Sequence, residues 1–220
     1  MAPKRSAELQ LGMDRQGAAP DLGIPRWYSR GYLPHRDEPG LLQSITFRLA
    51  DALPHERLRQ GEEMLALQPA SARDMERRKH MELWLDAGRG CCALRHSQMA
   101  GTIEHALLRF DGTRYRLIAW CIMPNHVHVL IRPDVRLAGI VQSWKSFTGR
   151  WALAHNAELE LGVPGNVFWM REYWDRYIRN ETHLRQVIDY IHFNPVKAGL
   201  CGSPQAWPWS SARLAAHPNI

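Results

Sequence analysis

The stretch from Tyr115 to Arg132 decides the fold: YRLIAWCIM (Tyr115–Met123), the pair Pro124-Asn125, then HVHVLIR (His126–Arg132). Two runs rich in β-branched and aromatic residues, joined by a short turn, read as an antiparallel hairpin. In the second run His126 and His128 are two residues apart. A strand sends such residues to the same face, with Cα atoms about 6.6–6.8 Å apart. Both imidazoles can converge on one ion while Val127 and Val129 point into the core. An HxH pair alone is weak evidence for a metal site, because short His pairs arise by chance.

Working upstream, Leu42–Ala50 (LQSITFRLA) reads as a first strand, bounded by Glu38-Pro39-Gly40 and by Pro54. The charged stretch His55–Asp86 reads as two helical pieces split around Pro69-Ala70-Ser71, and helix resumes over Leu94–Phe110. Residues 1–26 are polar, with no sustained periodicity, and are expected to form a flexible tail. Working downstream, the pattern predicts a helix over Leu137–His155 and an aromatic extended segment over Phe168–Ile178. A last helix is expected with Asn180 as its N-cap, running through Glu181–Phe193 and stopping at Pro195. Residues 201–220 read as an irregular C-terminal extension. The order strand, helix, strand, strand, helix, strand, helix predicts an α+β fold, an antiparallel sheet with helices packed on one face.

The chain has 220 residues, 45% apolar and 23% charged, which excludes a disordered or collagen-like polymer. No run is long and apolar enough for a membrane helix, and the N-terminus lacks the apolar core of a signal peptide. The four cysteines form no CxxC pair, so a reducing, cytoplasmic setting without disulfides is expected. The net charge is +6. Residues 111–220 carry 12 basic and 8 acidic side chains, and seven of the nine tryptophans lie after residue 115. Cations mixed with flat aromatic faces suit single-stranded nucleic acid; a Trp-rich core accounts for the same composition.

A second chemical element is Asp189-Tyr190-Ile191-His192-Phe193-Asn194-Pro195. Tyr190 and Asn194 are four apart, so a helix places the phenol one turn from the amide. A half-buried tyrosine followed by a capping asparagine fits the same residues.

Together the two elements resemble the single-tyrosine HUH endonuclease superfamily and, more narrowly, the REP-associated tyrosine transposases of the insertion-sequence type. The resemblance includes Arg30-Gly31-Tyr32-Leu33-Pro34-His35, Ile45 to Asp51, Met123 to His128, and Lys145-Ser146-Phe147-Thr148. It continues through Phe168-Trp169, Asp175 to Arg179, Tyr190 to Leu200, and Trp207 to Ser211, so it spans about residues 27–213. It implies a ferredoxin-like sheet with the HUH pair on a central strand, in one domain over 27–200. It also implies that His126 and His128 bind Mg²⁺ or Mn²⁺ and that Tyr190 is the nucleophile. Asn194 then stands where relatives place a third, polar ligand, often Gln. Asn125 is a rival whose side chain should point to the other side of the strand.

The implied reaction is transesterification of single-stranded DNA beside a hairpin of the repetitive extragenic palindrome kind, through a 5′-phosphotyrosine. DNA contacts are expected from Lys145, Arg150, Trp169, Arg171, Arg176, Arg179 and Lys197. Related transposases act as dimers that exchange the tyrosine helix, whereas the C-terminal extension here suits a monomer cutting in cis. Two other readings compete. A histidine-triad hydrolase would need a third alternating histidine where Leu130 stands. A hairpin-binding protein that has lost cleavage would not need Tyr190 and its candidate ligands intact.

Overall fold

The structure, a computed structural model, describes residues 27–29, 34–36, 38–53, 80 and 83–216. The expected tail at 1–26 and most of the charged stretch 55–86 lie outside the described residues; within that stretch, residues 83–86 are helical.

Among the described residues the main strands and α-helices follow in chain order: β1 (Trp27–Ser29), β2 (Pro34–Arg36), β3 (Gln43–Arg48), α1 (Ser97–Leu108), β4 (Tyr115–Ile122), β5 (His126–Pro133), α2 (Leu137–Ala154), β6 (Trp174–Tyr177) and α3 (Glu181–Lys197). β1 and β2 pair as a separate antiparallel ribbon. The main sheet has the order β4-β5-β3-β6, with every neighbouring pair antiparallel. From β3 to β6 the order is βαββαβ, the ferredoxin-like arrangement. The Tyr115–Arg132 hairpin is present as read, and it places His126 and His128 on the central strand β5.

β5 is buried on both faces, from His126 through Ile131, so the sheet needs cover on both sides. Val127, Val129 and Ile131 join Ile45, Phe47, Trp120 and Ile122 in the larger core, closed by Met99, Ile103 and Leu107 of α1 and by Ile140, Val141 and Trp144 of α2. On the opposite face Ala119, Cys121 and Leu130 pack with Val187 and Ile191 of α3. The helices therefore cover two faces, and the expected single helical layer is corrected: two-sided burial of β5 requires a second one. This decides the site, because α3 lies on the face that carries the histidines.

Two boundaries also differ. α3 does not stop at Pro195 but runs through it to Lys197. A proline φ is already helical, and only one backbone N–H is missing. The final turn closes with Ala198 N–H donating to Asn194 O and Leu200 N–H donating to Pro195 O. Asn194 therefore sits inside the helix rather than capping it. Asn180 does cap the start, its Oδ1 accepting from His183 N–H at 2.8 Å.

The described part of the C-terminal extension, residues 201–216, is irregular apart from two short 3-10 turns, at Pro204–Ala206 and Ser211–Ala216. It lies along the outer edge of β4: Ile122 N–H donates to Trp209 O, and Trp207 Nε1–H donates to Ile122 O. An otherwise open sheet edge is thereby satisfied.

Candidate active site

His126 and His128 are 1% and 2% exposed, and their Nε2 atoms face each other at 2.9 Å. Their outer nitrogens are each held. Asn125 Nδ2 donates to Arg89 O at 3.0 Å, which turns its Oδ1 towards His126 Nδ1 at 2.8 Å. An amide oxygen only accepts, so the geometry assigns the proton to His126 Nδ1 and leaves Nε2 with its lone pair. Thr46 Oγ1 stands 2.9 Å from His128 Nδ1, a contact set by the register that pairs Thr46 with His128. A hydroxyl donates or accepts, so His128 keeps a choice of tautomer.

Both imidazoles are neutral. Burial, and then the repulsion that two protonated imidazoles side by side would feel, pushes the His126 pKa well below its usual value. Burial, then Lys197, lowers that of His128 to about 3. Neutral imidazole is the form that ligates a metal.

Tyr190 lies beside them on α3, its ring edge-on to the His128 ring with centroids 5.3 Å apart. Lys197, seven residues on and so on the same helical face, places Nζ 4.9 Å from the centre of the Tyr190 ring. That placement needs the helix to continue through Pro195. Asn194, one turn after Tyr190, is 0% exposed, and neither its Oδ1 nor its Nδ2 has a hydrogen-bond partner. Buried amides are nearly always paired, so this one is prepared for a partner of another kind. The donor set fits a divalent cation: two neutral imidazoles converging through Nε2, and a buried amide without a partner. Among the described residues, no three or more His, Cys, Asp or Glu side chains are assembled to hold a metal ion.

A cleft of about 790 Å³ opens on Tyr190, lined among others by Thr46, Trp174, Arg176, Arg179 and Gln186. Arg176 and Arg179 line this cleft, and Lys197 overlies the tyrosine. Arg171 is exposed just before β6. Arg150 is exposed on α2, where it lines a separate groove with Arg109 and Phe147. Two other expected DNA contacts are engaged inside the fold. Lys145 Nζ donates to Met170 O and Arg171 O at 2.6 and 2.7 Å, tying α2 to the segment before β6. Trp169 is 6% exposed, packs edge-on to Phe47, and donates from Nε1 to Thr148 Oγ1. Trp174 is the tryptophan that reaches the cleft.

Two residues of the site, Thr46 and Asp86, were given no part in it from the sequence, and Asn125 was named there only as a rival ligand. Thr46 and Asn125 hold the histidines; Asn125 is a support of His126, not a rival ligand. Asp86 brings Oδ1 to 4.0 Å from His126 Nε2. Its burial, opposed by Lys197, raises its pKa to about 6.

Residues 99–194 match the family of IS200-like transposases, a span that contains both histidines, Tyr190 and Asn194. A Haemophilus influenzae protein assigned to the REP-associated tyrosine transposases is 28% identical over 104 residues, covering 44% of this chain and 58% of that one. The chain thus matches little more than half the length of that relative. A REP-associated tyrosine transposase of Escherichia coli K12 is 27% identical over 122 residues, 53% of this chain and 69% of its own. Among solved structures, a REP-associated tyrosine transposase bound to a REP hairpin superposes with a TM-score of 0.50 at 19% identity, covering 83% of this chain and 84% of its own. The fold is shared with that protein, and the sequence is similar to the two curated relatives. No described helix is long and apolar enough to cross a membrane.

Proposed function

We propose that this chain, which carries an IS200-like transposase match over residues 99–194, cleaves and rejoins single-stranded DNA beside a hairpin by transesterification through Tyr190. The observation that carries this reading is the placement of the Tyr190 ring against His128, at the head of a cleft lined by Arg176, Arg179 and Trp174. The solved relative that shares the fold is itself bound to a REP hairpin, which supports a palindromic hairpin as the partner here.

In the step proposed, Tyr190 Oη attacks a backbone phosphorus. The bond from phosphorus to the 3′ oxygen breaks. The products are a 5′-phosphotyrosine and a free 3′-hydroxyl, and reversal with another 3′-hydroxyl joins strands. One ester replaces another, so no nucleotide cofactor is consumed. The phenol must lose its proton, and the leaving 3′ oxygen must gain one to become the free hydroxyl; Lys197 Nζ lies 4.9 Å from the centre of the tyrosine ring. His126, His128 and Asn194 would hold Mg²⁺ or Mn²⁺. Such an ion supplies Lewis-acid polarisation of a non-bridging phosphate oxygen. Arg176 and Arg179 position the phosphates of the strand, and Trp174 offers an aromatic surface to a base.

The test is cleavage and binding of a hairpin with a single-stranded flank, with Mg²⁺, with Mn²⁺ and with chelator. His126→Ala and His128→Ala should each abolish cleavage while hairpin affinity stays within a few-fold. Equal loss of binding and cleavage would assign the histidines a structural role and overturn the reading.

A further inference from the structure

The donor set just described has a chemical gap. Two imidazoles and one amide are all neutral, whereas Mg²⁺ and Mn²⁺ favour hard oxygen donors, and Mg²⁺ is ordinarily held through at least one carboxylate. The site nevertheless has a carboxylate at its edge. Asp86 Oδ1 lies 4.0 Å from His126 Nε2, is buried, and has no hydrogen-bond partner. A buried carboxylate oxygen without a donor is costly unless something cationic meets it.

Asp86 is also firmly placed. The preceding Leu85 is 2% exposed in the larger core. The following loop is pinned at three points. Arg89 O accepts from Asn125, the residue that orients His126. Cys91 N–H donates to Asp51 Oδ2 at 2.6 Å, and Leu94 N–H donates to Pro124 O at 3.1 Å. Gly90 sits so close to Asp51 that an added Cβ would meet Asp51 O at 2.8 Å, so the loop packs there only as glycine. One residue, Asn125, thus fixes both a histidine and the loop behind the carboxylate.

Octahedral ligands about 2.1 Å from Mg²⁺ stand about 3.0 Å apart when adjacent and about 4.2 Å apart when opposite. The two Nε2 atoms, at 2.9 Å, match an adjacent pair. The 4.0 Å between Asp86 Oδ1 and His126 Nε2 falls close to an opposite pair. We propose that Asp86 is a further, anionic ligand of the metal site, drawn onto the cation when it binds and supplying the charge that His126, His128 and Asn194 lack. This rests on the reading of the histidines as a metal site.

The test measures Mn²⁺ binding by the loss of the free-ion electron paramagnetic resonance signal, without DNA. It compares wild type, Asp86→Asn, Asp86→Ala, His126→Ala and an exposed control, Glu158→Gln. Asp86→Asn keeps the volume and removes the charge. We expect at least a tenfold weaker Mn²⁺ affinity for both Asp86 variants and no change for the control. Thermal unfolding in chelator gives a second readout: Asp86→Asn should melt no lower than wild type, and the rise in melting temperature on adding Mn²⁺ should shrink. If wild type binds Mn²⁺, His126→Ala does not, and Asp86→Asn binds as wild type does, Asp86 is no ligand. If Asp86→Asn melts lower in chelator while its Mn²⁺ affinity is unchanged, its role is structural and the proposal falls. If wild type itself takes up no Mn²⁺, the metal reading of the histidines fails, and the proposal with it.

Discussion

Replacing Thr46 by valine isolates the support of one histidine with almost no change of shape. Thr46 Oγ1 is 2.9 Å from His128 Nδ1. His126 has its proton on Nδ1 because Asn125 Oδ1 can only accept there. The 2.9 Å contact between the two Nε2 atoms needs one proton, which in the metal-free protein comes from His128 Nε2. Thr46 then donates to His128 Nδ1. For His128 to ligate through Nε2, its proton must move to Nδ1, and the hydroxyl must rotate to accept it. Valine cannot accept. Thr46→Val should therefore cost about 1 kcal/mol of folding stability for one hydrogen bond. Mn²⁺ affinity should fall roughly 10–100-fold, the usual effect of losing a group that holds a ligating histidine. Thr46→Ser, which keeps the hydroxyl, should restore most of the affinity. Urea unfolding in chelator and Mn²⁺ titration measure the two quantities. Thr46→Val with wild-type Mn²⁺ affinity would refute the assignment of Thr46 as the residue that orients His128.

Other expectations follow from the same geometry. Both histidines are neutral in the fold but take a proton near pH 6.5 when unfolded. Their contribution is complete above that pH and declines below it, by up to about 1.4 kcal/mol per pH unit for each histidine, until pH about 3 for His128. Asp86 acts in the opposite sense, because the penalty on its partly buried carboxylate eases as pH falls through about 6. Two histidines against one aspartate leave a net fall, so urea unfolding in chelator should show lower stability at pH 5 than at pH 7; a level profile would contradict the burial argument. Hairpin affinity should weaken with salt, and each phosphate contact to a single strand adds about 0.7 to the magnitude of the log–log slope. Arg176→Ala should reduce that slope by roughly this amount and weaken binding to the flank more than to plain duplex, as a fluorescence-anisotropy salt series would show.

Much of this was legible in the sequence because it depends on local periodicity. The alternation in His126–Arg132 sets which residues share a face, and the Pro124-Asn125 turn sets the hairpin. The spacing of Tyr190 and Asn194 sets a shared helical face. What was not legible depends on register and on pairings distant in sequence. No local pattern states that Thr46 stands opposite His128, or that a helical end at Asp86 returns to His126. The second helical layer was missed because apolar runs do not say how many faces of a strand are covered. Lys145 and Trp169 show the ambiguity of cations and aromatics: each has the residue type of a DNA contact, but one is tied to backbone carbonyls and the other fills the core. Pro195 reads as a stop, yet the helix tolerates it near its end, and Lys197 reaches Tyr190 only for that reason.

The proposed role of Tyr190 as the nucleophile has a direct test. Tyr190→Phe removes one oxygen and little volume, so the fold and hairpin affinity should persist. A hairpin oligonucleotide with a single-stranded flank, labelled on the 3′ side of the cut, is incubated with protein and Mg²⁺ or Mn²⁺ and run on a denaturing gel. Label should migrate with the wild-type protein and not with Tyr190→Phe. A labelled adduct of undiminished intensity on the Tyr190→Phe protein would contradict it and assign the chemistry to another residue.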